Sequence, residues 1–257
     1  MSTDILLDRP AAGGALAPAA VAAVDLARRY GEGEAAVHAL RGVTLDVPAG
    51  QFCAVMGPSG SGKSTLMHHL AGLDVPTSGR VLLGEHDLTG MDDKSLTRLR
   101  RDHVGFVFQA FNLLPTLSAE ENILLPMEIA GRRPDAAWLE AVIDRVGLGD
   151  RRSHRPTELS AGQQQRVAVA RALVSRPTVL FADEPTGNLD SASGAAVLGL
   201  LREAADADGQ TIVMVTHDAH AASIADRVLI LADGRIVADL DRPAEDAIIT
   251  ALHEAGR

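Results

Sequence analysis

Gly57-Pro58-Ser59-Gly60-Ser61-Gly62-Lys63-Ser64 decides how this chain is read. It follows the short apolar run Gln51 to Met56 and leads into Thr65-Leu66-Met67, so a buried strand, a glycine-rich loop and a helix come in succession. The stretch fits G-x-x-x-x-G-K-[ST], whose glycines let backbone N–H groups wrap phosphates while the next helix points its positive end at them. The nucleotide-contacting set read from it is Gly57, Pro58, Ser59, Gly60, Ser61, Gly62, Lys63 and Ser64, with Thr65. Lys63 would reach the β- and γ-phosphates, and the Ser64 hydroxyl would ligate Mg²⁺. ATP and Mg²⁺ are therefore the expected substrate and ion.

A second apolar run, Val179 to Ala182, delivers Asp183-Glu184. Ligands of parallel sheets sit outside the carboxyl ends of the strands, so this pair belongs beside the phosphate loop. Asp183 is read as the Mg²⁺ holder and Glu184 as the carboxylate that polarises the attacking water. A third run, Thr211 to Thr216, presents His217, which can hydrogen-bond a γ-phosphate oxygen.

Strands alternating with helices predict an α/β fold with a mainly parallel sheet. Short runs broken by Gly31, Gly33 and Gly42 between Val21 and Val47 predict additional strands joined by turns. From about 114 to 165 the β signal fades, and Trp138 to Val146 has helical apolar spacing, so a helical subdomain is inserted there. The Ala/Gly/Pro-rich residues 1–20 read as a flexible tail, 21–245 as the nucleotide-binding domain, and 246–257 as a helical tail.

Bulk properties narrow the function classes. The 257 residues carry a formal charge of -10, which disfavours broad attraction to nucleic acid or anionic lipid. Cys53 is the single cysteine, lies in an apolar run and can form no intrachain disulfide. No stretch reaches the roughly eighteen apolar residues of a spanning helix, and Asp4 and Asp8 flank an apolar patch too short for a secretory signal.

Together these motifs resemble the ABC-type ATPases from Val21 to about Val237, in the family's order. The resemblance implies an ABC ATPase fold, with an antiparallel β subdomain added to the parallel core and the helical insertion. Leu159-Ser160-Ala161-Gly162-Gln163-Gln164-Gln165-Arg166 is similar to the family's signature, which faces the ATP held by a second copy. Ser160, Gly162 and Gln163 are thereby assigned to nucleotide contact, and Ser160 is also a good cap for the helix that follows. Gln109 matches the Q-loop glutamine, touching Mg²⁺ or the attacking water. Asn188-Leu189-Asp190 resembles the D-loop, which places Asp190 at the dimer interface. Tyr30 sits where the family has an adenine-stacking aromatic, although a tyrosine ahead of a strand can equally be a packing residue. Where the family usually has glycine this chain has Ala161, whose methyl is harmless in a helix and strained at positive φ.

Phe108 to Pro115, Asn122 to Pro126 and Asp183 to Asp190 resemble the lipoprotein-release, macrolide-export and antimicrobial-peptide-resistance branch. The branch implies a homodimer, cytoplasmic and held at the inner face of the membrane by a separate permease. Catalysis then falls to Lys63, Gln109, Glu184 and His217. Two alternatives stay open: a nucleotide-gated regulator of a membrane complex, and a soluble ABC ATPase outside transport.

Overall fold

The computed structural model describes residues 19–31, 33 and 36–256. Most of the predicted tail, residues 1–18, lies outside these, whereas Ala19 and Ala20, which composition assigns to the tail, open strand β1 (Ala19–Tyr30). Ala20 is buried, and its apolar neighbours Val21 and Ala23 supply the reason: they fill a core face that begins before the composition changes.

Two sheets form the frame. β1 and β2 (Val37–Pro48) run antiparallel and join β4 (Ser78–Leu83) and β5 (His86–Asp87) in the order β2-β1-β4-β5. The larger sheet has the order β10-β9-β3-β8-β7-β6, from β3 (Phe52–Met56), β6 (Val104–Phe108), β7 (Val179–Asp183), β8 (Ile212–Val215), β9 (Arg227–Ala232) and β10 (Arg235–Asp241). Its strands pair parallel except β10, which turns back on β9 at the edge.

The central strands read as continuous apolar runs because both their faces are covered. Phe52, Ala54 and Met56 of β3 face one core, and Cys53 and Val55 face the other. The second core packs α1 (Lys63–Leu70) and α2 (Asp93–His103) between the two sheets. The first is covered by α3 (Ala119–Ile129), α4 (Ala136–Arg145), α5 (Ala161–Leu173) and α6 (Ser191–Asp208), together with α7 (Ala219–Ser223) and α8 (Glu245–Ala255). Cys53 lies wholly inside, where burial pushes its thiol pKa up to about 12 and removes it from thiolate chemistry.

The helical insertion expected over 114–165 comprises α3 and α4, and α5 starts within it but runs on to Leu173 because Val167, Val169 and Leu173 enter the sheet's core. The C-terminal helix α8 is anchored in the same way by Ile248, which is fully buried.

Candidate functional site

The phosphate loop is shaped by what presses on it from behind. Gly57 (φ +147°) and Gly62 (φ +105°) lie where a Cβ would overlap the carbonyls of Leu231 and Ala39, so β9 and β2 permit only glycine at these two places. Gly62 caps α1 without offering a side chain. First-turn N–H groups have no acceptor within their helix, so those of α1 are left for an incoming anion. Lys63 Nζ crosses the loop, donating to the carbonyls of Gly57 (2.9 Å) and Pro58 (2.8 Å). Partial burial lowers its pKa, against the pull of Glu184 and Asp183. Ser61 is buried with an unpartnered hydroxyl, a polar group poised in the cradle.

The carboxylates sit next to this loop. Asp183 ends β7, in register with Phe108 of β6 and Val215 of β8. Burial, reinforced by the charge of Glu184, raises its pKa, while His68 and Lys63 oppose the shift. Glu184 leaves the strand in the left-handed region at φ +46°, its N–H held by the Val215 carbonyl at 2.9 Å. That turn carries its carboxylate to His217, whose Nδ1 donates to Oε1 at 2.9 Å. The same β8 end thus supplies both the anchor for Glu184 and its partner.

Gln109 follows β6, and its side chain pairs with Asn188. Its Nε2 donates to Asn188 Oδ1 (3.2 Å), and Asn188 Nδ2 donates back to the Gln109 carbonyl (3.0 Å). Gly187 lies underneath, where a Cβ would come within 2.8 Å of that Nε2. The structure therefore joins Gln109 to the segment after Glu184, and no described hydrogen bond ties it to Asp183 or Lys63.

Ser160 caps α5 as its sequence predicts, accepting from Gln163 N at 3.3 Å while Gln163 Oε1 accepts from Ser160 N at 2.9 Å. Ala161 is the first residue of α5 and has no positive φ, so its methyl is unstrained. Gly162 is buried against α6, and a Cβ there would stand 2.7 Å from Ser193 Oγ. Asp190 caps α6, accepting from the N–H groups of Ala192 and Ser193 and from Ser193 Oγ, and these bonds lower its pKa. Tyr30 is 41% exposed; its hydroxyl donates to Asp74 Oδ2 (2.9 Å), and the Arg28 guanidinium lies 4.5 Å from its ring centroid.

No described hydrogen bond joins Ser160 to the phosphate loop. The side chains of α1 belong to the core between the sheets, and those of α5 to the core on the opposite face. α1, which follows the phosphate loop, and α5, which Ser160 caps, therefore pack on opposite faces of the larger sheet. One residue escaped the sequence assignment: Gln165, fully buried on α5, donates to the carbonyls of Phe108 (3.2 Å) and Pro185 (2.6 Å). Its one available signal was a glutamine on the face shared with Gly162 and Val169.

Residues 40–187 match the family profile described as ABC transporter. Among curated proteins, the chain is 46% identical to the macrolide export ATP-binding/permease protein MacB of Marinobacter nauticus, over 91% of this chain and 36% of that protein. It is 50% identical to MacB of Rhodospirillum rubrum, over 88% and 35%. The chain thus spans about a third of the length of these relatives. Among solved structures, the ATP-binding cassette MJ0796, as a dimer in a post-hydrolysis state bound to ADP and Pi, aligns with a TM-score of 0.78 and 39% identity over 87% of this chain and 99% of that one. CbiO1 of Clostridium perfringens, described as part of the ABC transporter complex cbiONQ, gives 0.77 and 28%, over 91% of both chains.

Proposed function

The chain belongs to the ABC transporter family, and on that premise we propose that two copies bind two ATP molecules head to tail and hydrolyse them to drive a membrane permease. The observation that carries this reading is that α1, which follows the phosphate loop, and α5, which Ser160 caps, pack into different cores, and no described hydrogen bond joins Ser160 to Gly57–Ser64. A second copy, rotated by two-fold symmetry, brings each signature to the other's phosphates, an arrangement in keeping with the dimer described for MJ0796.

In this reading the α1 N-terminus and Lys63 neutralise the β- and γ-phosphates, and Tyr30 offers adenine the ring face that Arg28 leaves open. Glu184 accepts a proton from the attacking water as the new P–O bond forms and ADP departs. His217 holds that carboxylate in place and reaches toward the γ-phosphate. The partner's Ser160 caps the same phosphate. Gln109 meets the site's own segment through Asn188 and reports its state to the helical insertion that follows Gln109 in the chain.

Ser64 and Asp183 would hold Mg²⁺. An all-oxygen pair suits this ion, and a half-buried carboxylate with a raised pKa is one whose ionised form a cation stabilises. No cluster of three acidic, histidine or cysteine side chains able to hold a metal occurs among the described residues; phosphate oxygens of the nucleotide would supply further oxygen ligands. When bound, the ion neutralises charge on the phosphate oxygens.

No helix of the described residues is long and apolar enough to cross a membrane. The likeness to the macrolide export ATP-binding/permease protein MacB supports a reading in which hydrolysis drives export through a membrane permease. The test is Glu184→Gln: ATP binding is retained, hydrolysis is nearly abolished, and gel filtration with ATP shows a stable dimer. A variant that stays monomeric and hydrolyses ATP at the parental rate refutes the proposal.

A further inference from the structure

We infer that Gln165 is a positioning residue that fixes the catalytic carboxylate's loop and the Gln109 segment to the signature helix. The inference rests on the proposed ATPase reading and adds to it a link between the two ATP sites that one chain serves.

Gln165 lies five residues beyond Ser160 on α5 and is fully buried. Its amide nitrogen has two protons and meets two acceptors on different elements: the carbonyl of Phe108, the last residue of β6, and that of Pro185, next to Glu184. Since both neighbours are carbonyls, the amide group has one admissible orientation, with its nitrogen toward them. The cost falls on Oε1, which is buried and has no hydrogen-bond partner. A buried amide with half its capacity unmet fills space less well than leucine or methionine would. Its contribution is therefore the pair of bonds made by the nitrogen.

Those bonds form half of a clamp. The other half is the reciprocal pair between Gln109 and Asn188, with Gly187 pressed beneath it. Further along the same helix, Arg171 donates to the carbonyls of Asn112 (2.6 Å) and Phe111 (2.8 Å), both at positive φ. A shift of α5 thus drags both the segment from Phe108 to Asn112 and the turn that aims Glu184. Ser160 caps the same helix, so a partner's ATP pulling on Ser160 is felt at this chain's own catalytic loop.

The experiment compares Gln165→Leu and the volume-conserving Gln165→Met with Val169→Ala, a core truncation one turn along α5 that removes no side-chain hydrogen bond. Both Gln165 variants should keep KM for ATP within about two-fold, because Gln165 bonds to the carbonyls of Phe108 and Pro185 and makes no described hydrogen bond to the phosphate loop. Their kcat should fall by about ten- to a hundred-fold, the scale set by a misplaced catalytic group. Amide hydrogen exchange over residues 184–189 should rise in the Gln165 variants and not in Val169→Ala. The inference is overturned if the Gln165 variants turn over and exchange like the parental chain, or if Val169→Ala, at matched loss of thermal stability, lowers kcat as much. A parental chain without ATPase activity refutes the proposed function instead, and the exchange measurement then still decides the position of Gln165.

Discussion

Glu184 leaves β7 at φ +46°, which makes its backbone a measurable quantity. A residue with a Cβ pays about 1–2 kcal/mol in the left-handed region, because the Cβ crowds the following carbonyl. Glycine escapes that penalty but makes the unfolded chain more flexible, a loss of about 0.4–1 kcal/mol. Replacing Glu184 by alanine and, separately, by glycine removes the same carboxylate and the same hydrogen bond from His217. Both variants should lack turnover, and the difference between them isolates the backbone. The glycine variant should be the more stable by about 1 kcal/mol, or roughly 2–4 °C in Tm at this chain length. Paired urea unfolding curves measure this difference. The same pair of substitutions at Glu203, an exposed position within α6, should reverse the sign, since glycine costs about 1 kcal/mol against alanine in a helix. An alanine variant at Glu184 as stable as the glycine variant would refute the claim that this turn is held under strain.

Asp183→Asn should abolish hydrolysis yet stabilise the fold at neutral pH. Burial raises the folded-state pKa above the ordinary 3.8, so the folded chain keeps a proton that the unfolded chain releases. Parental stability therefore falls as pH climbs from that value through the raised one, and the variant's advantage in urea midpoint should vanish below it. Ala161→Gly, which restores the family's usual glycine, should leave kcat within about two-fold, because Ala161 is helical; a steady-state assay that finds a larger gain would show that the methyl obstructs the phosphate. Gly62→Ala should abolish nucleotide binding, measured by equilibrium titration, since its Cβ would overlap the Ala39 carbonyl.

The elements that position the site were legible where the signal is local. β7 spans Val179–Asp183 and delivers Asp183 to its end as its apolar run predicts, and the Ser160 side chain caps α5 by accepting from an N–H three residues on. Each of these needs only neighbouring residues. The start of β1 at Ala19 was hidden because alanine serves equally in a tail and in a tightly packed strand, and only the partner strands decide. The family's assignment of Gln109 to the ion or water gave no hint of Asn188, which is 79 residues away in sequence.

The interactions that sequence conceals are the ones that join motifs to each other. Lys63, Glu184 and His217 can each be assigned from the strand or loop that carries it, since their chemistry is expressed toward a ligand. Gln165 expresses its chemistry toward two main-chain carbonyls, and any residue type can supply a carbonyl. No side-chain pattern at Phe108 or Pro185 can therefore announce the bond. A glutamine inside an Ala/Val-rich helix is the whole of its trace, and that trace gains meaning only when burial shows that the amide cannot reach water. Such a position costs stability for as long as Oε1 stays unpaired, so its replacement separates the two accounts of it. A residue that merely fills space gains nothing from its amide and tolerates methionine, whereas one that holds the catalytic turn loses kcat with the same substitution even when the fold survives.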